Sequence, residues 1–111
     1  MKNRTRLIAL VGPMVGKQQA IHKIGLPDGP QTAMPFPEVL FLEDDATSCM
    51  LYRYTADGQF GGDTWHQTLE EAKHQAEFEY GEAFGPWLLV PEIESDGHEY
   101  AISYAKTRRE A

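Results

Sequence analysis

The chain has 111 residues, of which 41% are apolar and 24% charged, a composition typical of one folded globular domain and not of a disordered segment. It contains no apolar run near the roughly 18 residues that a membrane-spanning helix requires, and its one cysteine, Cys49, excludes an internal disulfide and favours the cytoplasm. The formal net charge is −7, and 15 acidic but only 2 basic residues lie between Glu38 and Glu99, which makes nucleic acid an unlikely partner.

The first predicted element is a strand over residues 5–11, which a Gly12-Pro13 turn closes. Residues 15–24 fit neither helical nor strand periodicity, so both remain open there. Residues 25–37 contain two glycines and four prolines and are predicted to be a loop that covers the core or a site.

Three further strands are predicted over residues 38–43, 48–55 and 59–66, and alternation along the second places Met50, Tyr52 and Tyr54 on one face. The last two are joined by a hairpin turn at Asp57-Gly58, because this dipeptide favours the positive-φ conformations of tight turns. The Gly61-Gly62 pair predicts a bulge or sharp bend in the last strand.

A helix is predicted over residues 69–80. Thr68 is placed as its N-cap with Glu71 three residues on, which is the spacing of a capping box, and Gly81 is a suitable terminator. A core-facing stripe is expected from side chains at helical spacing, namely Leu69, Ala72, Ala76 and Tyr80.

The C-terminal part is predicted to form a hairpin, with strands over 86–94 and 98–105 and a second Asp-Gly turn at Asp96-Gly97. The expected fold class is therefore α+β: an antiparallel sheet of five to six short strands, bent or curled towards a small SH3/Sm-like barrel, with one main helix. A single domain, 1–111, is expected, with frayed ends at about 1–4 and 107–111.

The stretch LIALVGPMVGKQQA superficially suggests a P-loop, but the motif's parts are missing. Only three residues separate Gly12 from Gly16-Lys17, Pro13 removes a backbone N–H, and Gln18 stands where a magnesium-binding hydroxyl is needed. We therefore predict that this protein is not a P-loop NTPase, and no catalytic residue, metal or cofactor is assigned.

A possible ligand site lies where the fourth strand meets the helix. Asp63, Trp65 and His66 are predicted near the helix N-terminus, whose free N–H groups favour anions. Glu70 and His74 follow at a spacing of four, so they are included as ligand-binding candidates.

Phe78 is predicted to point away from the core, on the helix face that also carries Glu71 and His74. A second copy of the chain would cover such a side chain, so Phe78 and Glu71 are the predicted contacts of a homo-oligomer, in the first place a homodimer.

The segment GDTWHQTLEEAKHQAEFEYG, residues 62–81, resembles a segment found in short bacterial proteins of uncharacterised function. The resemblance implies a bacterial cytosolic protein and transfers no functional residue. The leading hypothesis is a non-enzymatic protein that binds a partner or ligand. The alternatives are an RNA-binding Sm-like or RNP-type module that uses the basic termini, and a small metal-dependent hydrolase centred on Asp63, His66, Glu70 and His74.

Overall fold

Five antiparallel strands form one open sheet in the computed structural model, which describes residues 4–12 and 36–110. The strands are Thr5–Leu10 (β1), Val39–Asp44 (β2), Cys49–Tyr54 (β3), Phe60–His66 (β4) and Leu88–Leu89 (β5). Their spatial order is β4-β3-β2-β1-β5, so β4 and β5 are the edges. The predicted α+β class with an antiparallel sheet is confirmed. The open assignment of 15–24, and most of the predicted loop 25–37, lie outside the described residues.

Two helices pack on opposite faces of this sheet. Helix α1, Leu69–Tyr80, contacts β2, β3 and β4, and a 3-10 turn, Gly81–Ala83, follows it directly. Helix α2, Gly97–Glu110, packs mainly against β2 and β1 on the other face. The result is a layered helix–sheet–helix arrangement in which α1 and α2 cover different parts of the sheet.

The alternation of side chains along β2 explains why it is the centre of the core. Leu40 and Leu42 belong to the buried cluster under α1, whereas Val39 and Phe41 belong to the cluster under α2. Because successive side chains of a strand point to opposite faces, a continuous apolar run is needed where both faces are covered. The sequence VLFL meets this requirement in β2.

The predicted helix 69–80 is confirmed with both of its end signals. Thr68 Oγ1 accepts the Glu71 N–H at 3.1 Å, which satisfies one of the free amides of the first turn. Gly81 follows the helix with φ +52°, a conformation that favours glycine. Ala72, Ala76 and Tyr80 are buried against the sheet, as the stripe predicts.

The hairpin between β3 and β4 also follows the prediction. The Gly58 N–H donates to the Thr55 oxygen at 3.0 Å, and the Thr55 N–H donates to the Gln59 oxygen at 2.9 Å, with Gly58 at φ +91°. Tyr52 pairs with Asp63 but Tyr54 pairs with Phe60, so two β4 residues oppose Arg53. This is the predicted bulge at Gly61-Gly62.

The predicted strand 98–105 is wrong, because these residues belong to α2. Asp96 acts as a helix cap and not as part of a hairpin turn: its Oδ1 accepts the His98 N–H at 3.0 Å and the Glu99 N–H at 3.2 Å. Ala101 and Ala105 are buried at helical spacing. The helix continues through Glu110 and so includes residues that were expected to be frayed.

The sheet does not close into a barrel. Of the predicted strand 86–94, only Leu88–Leu89 pairs, with Ile8 and Leu7 of β1, and this short edge lies far from β4 in the strand order. Phe36, at the end of the predicted covering loop, packs against Tyr80 with ring centroids 6.1 Å apart.

Candidate functional site

The sheet face that carries α2 is covered unevenly by the described residues. Helix α2 packs mainly against β1 and β2 and reaches β3 through His98, so in the described part of the chain the outer part of this face, on β4, keeps exposed side chains. Its residues include two exposed aromatic side chains, with Trp65 59% and Phe60 46% accessible to solvent. We call this region the aromatic groove; its floor is Tyr52, Tyr54, Phe60, Asp63 and Trp65, and its wall is His98 of α2.

Strand periodicity and the bulge bring the floor residues together. Tyr52 and Tyr54 share a face of β3, and Asp63 is the partner of Tyr52 in the ladder, so its side chain points the same way. Trp65, two residues on, shares that face. Without the bulge Phe60 would point to the other face; with it, the Phe60 ring lies 5.8 Å from the Tyr54 ring.

His98 joins the helix to the floor. Its Nδ1 atom and the Tyr54 hydroxyl form a hydrogen bond of 2.6 Å, and its ring lies edge-on to Tyr52 at 4.5 Å and to Phe41 at 4.8 Å. Asp96 caps the helix by accepting the His98 N–H, and this hydrogen bond holds the backbone from which the His98 ring projects. The wall of the groove is therefore joined to its floor by a hydrogen bond to Tyr54 and a ring contact with Tyr52.

The groove combines two protonated tyrosine hydroxyls with one exposed carboxylate, that of Asp63. Burial, followed by the charges of Glu43 and Asp63, raises the pKa of Tyr52. Burial is also the main reason why the pKa of Tyr54 is raised, with further contributions from Tyr52, Asp96 and Asp63. Both hydroxyls therefore stay protonated at neutral pH. The exposed Asp63 carboxylate has no hydrogen bond or ion pair with any residue that the structure describes.

The structure separates the five predicted ligand residues. Asp63 and Trp65 lie in the aromatic groove, but His66 has the opposite strand parity to both, and its Nε2 atom is hydrogen-bonded to Thr64 Oγ1 at 2.7 Å on the α1 face. Glu70 and His74 are exposed on α1, across the sheet from the groove. Strand pleating thus divides residues that are neighbours in sequence, and the five do not converge.

No family model, curated protein or solved structure matches the chain. Within residues 4–12 and 36–110, no helix has the length and apolar character needed to cross a membrane. The same residues contain no group of three or more His, Cys, Asp or Glu side chains placed to hold a metal ion. What the protein does is therefore inferred from the groove itself.

A buried ionic network lies under α1, on the other face of the sheet. Arg53, only 6% exposed, donates from Nε to Glu79 Oε1 and from Nη2 to Glu79 Oε2, both at 3.0 Å. It also donates to the Leu51 carbonyl and to Thr64 Oγ1, each at 3.3 Å. Gln75 Nε2 donates to Glu79 Oε2 at 2.6 Å. Because these groups satisfy one another, the network joins α1 to the sheet and offers no open position for a ligand.

His66 and Cys49 also lie on this face of the sheet, and burial changes the pKa of each. Burial, followed by the charge of Arg53, lowers the pKa of His66, so its imidazole is neutral at pH 7. Burial, followed by the charges of nearby carboxylates, raises the pKa of the Cys49 thiol to about 11. A buried protonated thiol is a poor nucleophile.

Two of the described basic residues near the chain ends, Arg4 and Arg109, lie apart and are each paired with carboxylates. Arg109 pairs with Glu38 at 3.5 Å and with Asp57 at 2.5 Å, next to the end of the ladder where Leu10 meets Val39. Arg4 pairs with Glu43 at 3.2 Å, at the opposite end of the same ladder. The geometry therefore gives no support to a continuous basic surface for RNA.

The remaining predicted residues are found on the surface of α1 and at the end of β1. Phe78 is 83% exposed, as predicted, whereas Glu71 Oε1 accepts the Gln67 N–H at 3.1 Å and so supports the helix start. Gly12, from the P-loop-like stretch, lies two residues after β1, whose two neighbours, β2 and β5, are both antiparallel to it. A P-loop domain instead requires a parallel sheet with crossover helices.

Sequence reasoning placed Tyr52 and Tyr54 on one face but did not recognise them as part of a site. It also missed His98, because the Asp96-Gly97 pair was interpreted as a hairpin turn. The available signal was the spacing from Asp96 to Glu99, which is that of an N-cap followed by an acidic residue at the third helical position.

Proposed function

We propose that this is a non-enzymatic cytoplasmic protein that binds a segment of another polypeptide in the aromatic groove. The observation that carries the proposal is the exposure of Trp65 and Phe60 on a sheet face that α2 leaves open. Exposed aromatic side chains on one face of a sheet are typical anchors of protein interfaces.

The shape of the groove favours a polypeptide over a small molecule. Small-molecule sites enclose most of the ligand's surface, whereas Trp65 and Phe60 stand at an open face. β4 has seven residues and spans roughly 20 Å, which matches an extended segment of about six residues. A partner segment of this length would contact the whole floor.

The chemistry of the groove favours binding over catalysis. The raised pKa values of Tyr52 and Tyr54 oppose a role as general bases at neutral pH, and they leave the hydroxyls as hydrogen-bond donors. The ring of His98 is held by the Tyr54 hydroxyl and by the aromatic rings around it. These groups are better placed to shape a surface than to transfer protons.

A peptide-display selection tests the proposal. A library of random twelve-residue peptides is selected on the immobilised protein, and the enriched peptides are assayed against wild type, Trp65→Ala and Phe78→Ala. We expect Trp65→Ala to weaken binding by about tenfold or more, as for a central aromatic anchor, and Phe78→Ala to leave it unchanged. Both side chains are exposed, so both variants should melt like wild type. Peptides that bind regardless of Trp65, or no enrichment at all, would overturn the proposal.

Self-association is a separate part of the proposed function, supported by the exposure of Phe78 on α1. We expect wild type to form a homodimer in light scattering and Phe78→Lys to shift it to a monomer, because a buried charge would replace an apolar contact. Glu77→Lys, an exposed change on the same helix, is the control for the added positive charge. A wild-type monomer that persists at high concentration would contradict this part alone.

A further inference from the structure

We infer that the polypeptide segment held by the aromatic groove is basic, with a lysine or arginine side chain placed between Asp63 and Trp65. This inference rests on the proposed function, because it names the chemistry of the partner at the same site. It commits to a basic segment of a different protein.

The pairing of Asp63 with Trp65 is the first support. They are two residues apart on one face of β4, so their side chains are neighbours about 7 Å apart along the strand. Both are exposed, and Asp63 has no partner in the described part of the chain. A cation between them would have a carboxylate on one side and an exposed indole on the other, and cations are attracted to the faces of aromatic rings.

The charges around the floor are the second support. Glu43 and Asp96 lie close enough to the tyrosines to act on their hydroxyls, so carboxylates flank the groove as well as occupying it. Arg4 pairs with Glu43, so in the described part of the chain the negative charge that no ion pair compensates is that of Asp63, with Asp96 beside it; Arg109 is paired with Asp57 and Glu38. The groove therefore presents surplus negative charge beside aromatic rings.

The same charges argue against two other occupants. A nucleic-acid backbone would be repelled by the carboxylates and by a chain of net charge −7. Two copies meeting through this face would bring each Asp63 towards the partner's own acidic groove, and like charges at an interface are costly. A basic segment has complementary charge, whereas these two do not.

Three fluorescently labelled twelve-residue peptides test the inference. They share length and apolar residues and carry four Lys, four Gln or four Glu, and their binding is measured by anisotropy at low salt. We expect the Lys peptide to bind at least about tenfold more tightly than the Gln peptide, and the Glu peptide to bind least. Raising the salt concentration should reduce the advantage of the Lys peptide, because exposed charges are screened.

Variants locate the effect. Asp63→Asn should weaken the Lys peptide about threefold and leave the Gln peptide unchanged, as expected for one exposed ion pair. Glu70→Gln also removes one negative charge, but on the opposite face of the sheet. It should change the binding of the Lys peptide only by the small effect of the altered net charge. Trp65→Ala should weaken both peptides, and a folded state with unchanged circular dichroism is required of every variant.

The outcomes separate the two proposals. Equal binding of the Lys and Gln peptides, both dependent on Trp65, would overturn the basic partner and leave the groove as a peptide site. Loss of self-association in Trp65→Ala would identify the face as a contact between copies and would overturn the inference. A short RNA that binds in a Trp65-dependent way would overturn it as well.

Discussion

Replacing Glu79 with alanine is expected to lower the free energy of unfolding at pH 7 by about 3 kcal/mol. Arg53 would then keep its buried position without its bidentate partner, and removal of one member of a buried ion pair typically costs 3–5 kcal/mol. The lower end applies here, because the Glu79 side chain is 18% exposed and the arginine retains bonds to Leu51 and Thr64. Urea unfolding followed by circular dichroism measures the change.

The double variant Arg53→Met/Glu79→Leu is the matched control. Removal of both charges leaves no uncompensated ion, so this variant should be considerably more stable than Glu79→Ala and close to wild type. If Glu79→Ala alone costs less than about 1 kcal/mol, the pair behaves like a surface salt bridge and the buried network does not hold α1 to the sheet.

The contribution of Glu79 should also depend on pH. Burial raises its pKa, but the hydrogen bonds from Arg53 and Gln75 outweigh burial and hold the pKa below its usual value of 4.5. A carboxylate with a lowered folded-state pKa stabilises the protein above its unfolded-state pKa, and this stabilisation is lost as pH falls through the folded-state value. The difference between wild type and Glu79→Ala should therefore be constant near neutrality and shrink below about pH 4.5. A difference that grows in acid would contradict the assignment.

Gly97→Ala is expected to lower the free energy of unfolding by about 2 kcal/mol, although alanine is the better helix former. A Cβ atom added at Gly97 would overlap the buried Phe41 ring, lying 2.5 Å from its Cε1 atom. Phe41 is in the central strand β2, so the ring has little room to move. Helix propensity alone would instead predict a stabilisation of about 0.5–1 kcal/mol. The sign of the change in the free energy of unfolding therefore shows whether the overlap with Phe41 or helix propensity dominates.

Ser103→Ala, at an exposed position of α2, is the control and should be neutral or slightly stabilising. A double-mutant cycle of Gly97→Ala with Phe41→Leu tests the contact directly. The variant with both changes should be more stable than the sum of the two single changes predicts, because the smaller side chain makes room for the methyl group. Additive effects would show that the contact is not the cause.

The Gly97 contact also connects stability to the groove. Close approach of the α2 backbone to Phe41 places His98 against Tyr52 and Tyr54, and this sets the distance between the wall and the floor. A displaced α2 would therefore change the groove even though Gly97 is not part of it. The described fold thus explains why a glycine begins this helix.

Much of the fold follows from local sequence signals. The spacing of Thr68, Glu71 and Gly81 determined α1, because capping and termination depend on groups within one turn of the helix. The Asp57-Gly58 turn and the Gly61-Gly62 bulge were likewise predictable, since both depend on the conformational freedom of glycine. The alternation in β3 also predicted which face Tyr52 and Tyr54 share.

The C-terminal element is wrongly predicted as a strand because Tyr100, Ile102 and Tyr104 alternate, although Ala101 and Ala105 also have helical spacing. Burial of the two alanines against the sheet decides for the helix, and this is a contact between distant parts of the chain. The five-residue ligand site failed for a related reason: strand pleating sends His66 to one face and Asp63 and Trp65 to the other.

The sequence by itself determined the antiparallel α+β class, helix α1, the β3–β4 hairpin and the acidic character of the chain, because each depends on composition or on residues close together in sequence. Only the tertiary structure decided the second helix, the open sheet, the buried Arg53–Glu79 pair and the aromatic groove. The groove exists because α2 covers mainly β1 and β2 and reaches β3 through His98, so that among the described residues this face of β4 stays exposed, and where a helix docks on a sheet is set by packing between residues far apart in the chain.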